Sequence, residues 1–183
     1  MESHELKVEH RVKTGKGSAR KSRARGWAPG VVYGKDIEPI AISFHPAEMR
    51  AVLKSSRGRN SVFNLNVDQG RSVLAMVKDI QIDPLRRTIL HSDFIQITED
   101  RPVVVPIPFH VEGRALGVIA GGILQQLERT ILVSCLPANI PVEIRADVSH
   151  LNVGESLVIK DLKLPEGTTA VAKETHAVAQ VMK

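Results

Sequence analysis

SVFNLNVDQGRSVLAMVKDIQIDPLRRTILHSDFIQI (Ser61–Ile97) is the stretch that decides the fold class. Ser61 to Val67 alternates with period two, as a half-buried strand does. Asp68–Gln69–Gly70 reads as a turn, Ser72 to Val77 returns as a strand, and Lys78 to Asp83 prolongs it, so the segment is a predicted hairpin. Pro84 interrupts it, and Thr88 to Ile97 is the next strand. There Ile89, His91, Asp93 and Ile95 share one face, while Leu90, Ser92, Phe94 and Gln96 share the other.

Toward the N-terminus, Pro46 to Leu53 (PAEMRAVL) is the clearest helix, with Pro in the first turn and good helix formers behind it. Its stripe of Met49, Val52 and Leu53 belongs to a core. Glu38 to Phe44 and Gly30 to Tyr33 are strands, and so is Leu6 to Val12. In that first strand Leu6, Val8, His10 and Val12 lie on one side, and Lys7, Glu9 and Arg11 on the other. Between strands runs a basic segment containing Arg11, Lys13, Lys16, Arg20, Lys21, Arg23 and Arg25, with no acidic residue from Glu9 to Asp36. Gly15 and Gly17 loosen its middle, so it reads as a basic loop that a polyanion backbone can approach closely. The plainer reading is a solvated, mobile charged loop.

Toward the C-terminus, Thr98–Glu99–Asp100–Arg101–Pro102 is polar, charged and closed by proline, which divides the chain into domains 1–98 and 99–183. Val103 to Val111 is a strand whose two prolines predict an edge or a bulge. Glu112 to Gly122 is glycine-rich and irregular, and Thr130–Leu136, Val142–Val148, Ser156–Ile159 and His176–Met182 are further strands. Both halves are therefore mainly β.

With only Trp27, Tyr33 and four Phe among 183 residues, the core must rest on Val, Ile and Leu. Residues 1–98 hold 17 Lys and Arg against 10 Asp and Glu, a net of +7, whereas residues 99–183 hold 8 against 10, a net of −2. One half suits a polyanion and the other does not. A single cysteine, Cys135, excludes an intrachain disulfide framework and a Cys-based zinc site, and it fits a reducing, cytoplasmic setting. Neither a signal-like N-terminus nor an 18-residue apolar run is present, so no membrane role is expected. No cofactor or metal is expected either.

Gly15–Lys16–Gly17–Ser18 has the residue types of a phosphate loop but not its spacing, although its amides suit an RNA phosphate. His91 and Asp93 lie side by side on one strand face, and three readings stand open: a catalytic or metal pair, a structural polar pair at a barrel rim, or a pair that recognises bases. Tyr33 belongs either to the core or to a ligand-facing wall. Gln81 matters only if its strand borders the basic segment.

GKGSARKSRA, PGVVYG, VKDIQIDPL and HSDF, together with CLPANIP, ADVSHLNVGESL and IKDLKLPEGT, resemble the bacterial large-subunit ribosomal protein family that binds 5S ribosomal RNA. The closer likeness is to its long, two-domain form, the general stress protein Ctc type, and it covers nearly the whole chain. The resemblance implies a small N-terminal β-barrel with one or two short helices that grips the loop E internal loop of the RNA in the central protuberance. It also implies a separate, mostly β C-terminal domain and a non-enzymatic role. Carried over, it points to Arg11, Arg20, Tyr33, His91 and Asp93 as RNA-binding residues. Lys16, Ser18, Lys21 and Arg23 match the surrounding backbone-contact region, and Lys78 and Gln81 the strand that approaches the RNA. Ile119 departs from the family, which often carries a charge there. The implied partners are 5S ribosomal RNA and neighbouring ribosomal RNA or proteins, with the chain monomeric when free. The rival reading is a stress-linked, chaperone-like protein-interaction module.

Overall fold

A computed structural model of the chain describes residues 3–67 and 71–183. The predicted Asp68–Gln69–Gly70 turn lies outside them. Two compact units divide the chain, Met1–Arg101 and Pro102–Lys183.

The first unit is a closed barrel. Its strands are β1 (Ser3–His10), β2 (Ala28–Tyr33), β3 (Ile40–Phe44), β4 (Val62–Val67), β5 (Arg71–Ile82) and β6 (Ile89–Gln96). They close in the order β1-β3-β2-β6-β5-β4, with β1 parallel to β4 and β2 parallel to β6. Among the described residues every strand of this barrel therefore has a neighbouring strand on each side. Phe94 is at the centre of the core and meets Phe44 edge-on at 5.6 Å and Phe63 at 5.9 Å. Leu6, Val8, Val32, Ile42 and Leu65 fill in around the rings. The predicted helix α2 (Pro46–Leu53) adds Met49 to that core from the loop side.

Three expectations are corrected here. The basic segment is not a loop, because Lys16–Ala24 forms a helix, α1, that buries no residue. Gly15 opens it at φ 98°. It closes in a Schellman motif, in which Gly26 at φ 83° donates to the Arg23 carbonyl and Trp27 donates to the Ser22 carbonyl. Lys, Arg and Ala favour a helix, but a helix with no buried face shows no apolar period. Secondly, β1 ends at His10, so Val12 lies past the strand and is 85% exposed, whereas His10 keeps the Leu6–Val8 side through its pairing with Ile42. Thirdly, Ile89 belongs to the core and not to the His91–Asp93 face. The register between β5 and β6 passes from Gln81↔His91 to Ile82↔Ile89, which leaves Leu90 as an extra residue. A one-residue bulge reverses the side on which the next residue falls.

The second unit has a sheet in the order β10-β7-β9-β12 and a smaller one in the order β11-β13-β8. These comprise β7 (Val103–Glu112), β8 (Ile123–Gln126), β9 (Thr130–Cys135), β10 (Ile144–Asp147), β11 (Ser156–Val158), β12 (Thr168–Ala170) and β13 (Ala177–Met182). β7 is not an edge strand, since it lies between β10 and β9. The proline rule survives locally: Val103–Pro108 pairs only with β9, and β10 joins from Phe109 onward. Within the stretch expected to be irregular, Leu116–Ile119 makes one helical turn, α3. Ile107, Phe109, Ile131, Val133 and Cys135 are buried in this unit. Burial also pushes the Cys135 thiol pKa up.

Candidate nucleic-acid interface

Registered residues on paired strands point to the same side of a sheet. Val32 and Phe94 pair inside the barrel, so the residues beside them pair outside. On the outer wall Tyr33 lies against Ile95, Val31 against Asp93, Asp79 against Asp93 and Gln81 against His91. Tyr33 is half-buried and outside the core. His91 Nδ1 and Asp93 Oδ1 are 2.8 Å apart, with about a third of each side chain exposed (31% and 36%). That contact fixes the imidazole's orientation and leaves Nε2 on the far side of the ring. Behind the wall, fully buried Ser92 donates its hydroxyl to the Asp79 carbonyl at 3.2 Å.

Two bulges shape this wall. Lys78 is the extra residue on β5, between Val77↔Phe94 and Asp79↔Asp93, and it is exposed. Leu90 is the extra residue on β6, and its carbonyl accepts a hydrogen bond from Arg23 Nη1 at 3.2 Å. That bond holds α1 one residue from His91. Bulges re-aim side chains next to working surfaces in this way.

Within α1, Lys16, Arg20 and Arg23 are spaced i, i+4 and i+7 and form one exposed stripe, while Lys21 lies off that stripe. Lys21 and Arg23 occupy the last turn, where the helix dipole favours cations. Arg11 and Ser18 have a different place: Arg11 Nη2 donates to Ser18 Oγ at 3.1 Å, and Ser18 donates to the Lys13 carbonyl at 2.8 Å. They shape the entry to α1.

The structure thus gathers Arg23, Tyr33, Lys78, Gln81, His91 and Asp93 around one wall. Sequence reasoning missed Val31 and Asp79, which share that wall, and the Leu90 bulge that links it to α1. Gly26, directly after the Lys- and Arg-rich run that ends at Arg25, was the available signal for the helix end. The bulges leave no such mark, because they follow from pairing between strands.

A closed barrel with a polar outer wall and a solvated basic helix on its flank has the charge and shape that suit a polyanion-binding scaffold. Comparison with known proteins makes the class particular. Residues 6–94 match the Ribosomal L25p family, and residues 102–183 match the C-terminal domain of ribosomal protein TL5. The large ribosomal subunit protein bL25 of Sorangium cellulosum is 38% identical over 99% of this chain and 79% of its own length. Its counterpart in Halothermothrix orenii is 39% identical over 100% of this chain and 83% of its own length. A third, from Anaeromyxobacter dehalogenans, is 40% identical over 91% of this chain and 69% of its own length. The chain belongs to the ribosomal L25p family, in its long, two-domain form. That family is structural and non-enzymatic, which removes the catalytic reading of His91 and Asp93.

Proposed function

We propose that this protein binds 5S ribosomal RNA at its loop E region, as part of the central protuberance of the large ribosomal subunit. The observation that carries this is the Arg23–Leu90 hydrogen bond, which sets a basic helix directly beside the His91–Asp93 pair. A-form RNA hides base edges in a deep, narrow major groove, so proteins read irregular loops, the minor groove and phosphates. Lys16, Arg20, Lys21 and Arg23 neutralise phosphates and set the register. Arg11 and Ser18 hold the helix entry in place while presenting polar atoms at its rim. Tyr33, Lys78, Gln81, His91 and Asp93 form the selective wall, where Asp93 accepts from a base amino group and His91 offers Nε2. Residues 99–183 contact neighbouring ribosomal RNA or proteins.

The test is a titration of the full chain against 5S ribosomal RNA and a length-matched duplex, with Arg20→Ala and His91→Ala alongside. About 4–6 phosphate contacts give log K falling against log salt with a slope of about −3 to −5. Arg20→Ala lowers that slope by about one. His91→Ala weakens binding to 5S ribosomal RNA while leaving the duplex unaffected. Equal affinity for both RNAs, indifferent to His91, would overturn the reading.

A further inference from the structure

The turn that joins β5 to β6, Asp83–Pro84–Leu85–Arg86–Arg87–Thr88, is held more firmly than an ordinary connection. Asp83 Oδ1 accepts from the Leu85 amide at 2.9 Å and from the Arg86 amide at 3.0 Å. The Asp83 and Thr88 backbones close the turn at 2.9 Å, and the Arg87 amide donates to the Asp83 carbonyl at 2.8 Å. From α2, Arg50 Nη2 reaches across to the Arg87 carbonyl at 3.0 Å. Arg87 sits at φ 52°, the one non-glycine residue at positive φ among the described residues. Glycine adopts that conformation without strain, so an arginine there carries a local cost. Strain of this kind collects where a surface must be presented in one shape.

What the turn presents is Leu85, 93% exposed, flanked by the exposed Arg86 and Arg87. The only carboxylate in the turn is Asp83, and it is committed to the two amides. The turn continues the wall beyond the Gln81↔His91 pair, and two residues past Thr88 is the Leu90 carbonyl that receives Arg23. Basic helix, polar wall and basic turn are therefore continuous.

We propose that this turn is a second RNA-contacting arm. Arg86 and Arg87 pair with phosphates of the RNA strand beyond the nucleotides facing His91, and Leu85 packs against an exposed ribose or base face between them. This rests on the RNA-binding reading above and extends it to a part of the barrel that the sequence did not single out. Arginine suits phosphate because its planar donors can engage two oxygens together.

The test uses the full chain and 5S ribosomal RNA across a salt series. The variants are Arg86→Ala/Arg87→Ala, Leu85→Ser and Arg87→Gly, with Lys160→Ala/Lys173→Ala as a charge-matched control in the other unit. The arginine pair variant should bind about tenfold or more weakly, with the salt slope lowered by about two. Leu85→Ser should weaken binding several-fold at an unchanged slope. Arg87→Gly relieves the strained φ, so its thermal midpoint should hold or rise while its affinity falls, which separates lost contact from lost folding. Binding by the arginine pair variant within twofold of the parent, at an unchanged slope, would overturn the proposal and make the tip a surface for a protein partner. Failure of the 5S reading itself would appear differently, as a parent that binds duplex and 5S ribosomal RNA equally.

Discussion

Gly30 controls how closely β2 and β6 can run. A Cβ built there would meet the Ser92 carbonyl oxygen at 2.7 Å and the Phe44 ring at 3.1 Å. Both neighbours are buried and neither is a flexible chain end. Gly30→Ala should therefore force β2 away from β6, at a cost of about 1–3 kcal/mol as for other overpacked sites. A urea melt checks the stability. Because Val31 and Asp93 pair next to this contact, the same variant should also loosen the outer wall, and selectivity between 5S ribosomal RNA and duplex should fall with it. His91 and Asp93 were legible at this scale because period two places i and i+2 on one strand face. Ile89 was misplaced by the same rule, since the Leu90 bulge interrupts the period.

At the scale of elements, α1 contributes little to folding and much to charge. It buries no residue, and Arg23 ties it to the barrel through one hydrogen bond. Ser22→Pro removes a helical donor and clashes with the preceding turn, which costs a helix interior about 3 kcal/mol. That cost falls on a segment outside the core. The barrel's thermal midpoint should move by no more than a degree or two, while affinity for 5S ribosomal RNA falls at least tenfold. Hydrogen exchange confined to the α1 amides would confirm local melting, and a collapse of the whole barrel would contradict it. The element was hidden in the sequence because helix recognition relies on a buried stripe, which α1 lacks. By contrast α2 was legible, since Met49 anchors it in the core.

For the whole molecule, three carboxyls link stability to pH. Amide hydrogen bonds from Arg86 and Leu85 hold the Asp83 carboxyl below its ordinary value. Bonds from the Ser149 hydroxyl and amide do the same for Asp147, and the Asn152 amide and side chain for Glu155. A carboxyl depressed in the folded state contributes stability above its unfolded pKa, about 4, and loses it as pH falls through the lower folded value. Both units should thus be constant near neutrality and weaken below about pH 4. The change should be modest, because all three groups are solvated. Thermal melts across that range check it, and loss of stability on raising pH from 5 to 7 would contradict it.

By itself the sequence determined the mainly β character, the helix at Pro46–Leu53, the basic half and the strand face shared by His91 and Asp93. These are local properties, set by the period of side chains along a backbone and by the charges they carry. Only the tertiary structure decided that the strands close into a barrel, that Lys78 and Leu90 bulge, and that α1 lies against the end of β6. It also decided that Tyr33 belongs to the outer wall and that the Arg87 turn extends it. Each of these depends on pairing between residues far apart in the chain, and no window of neighbouring residues encodes a partner's register.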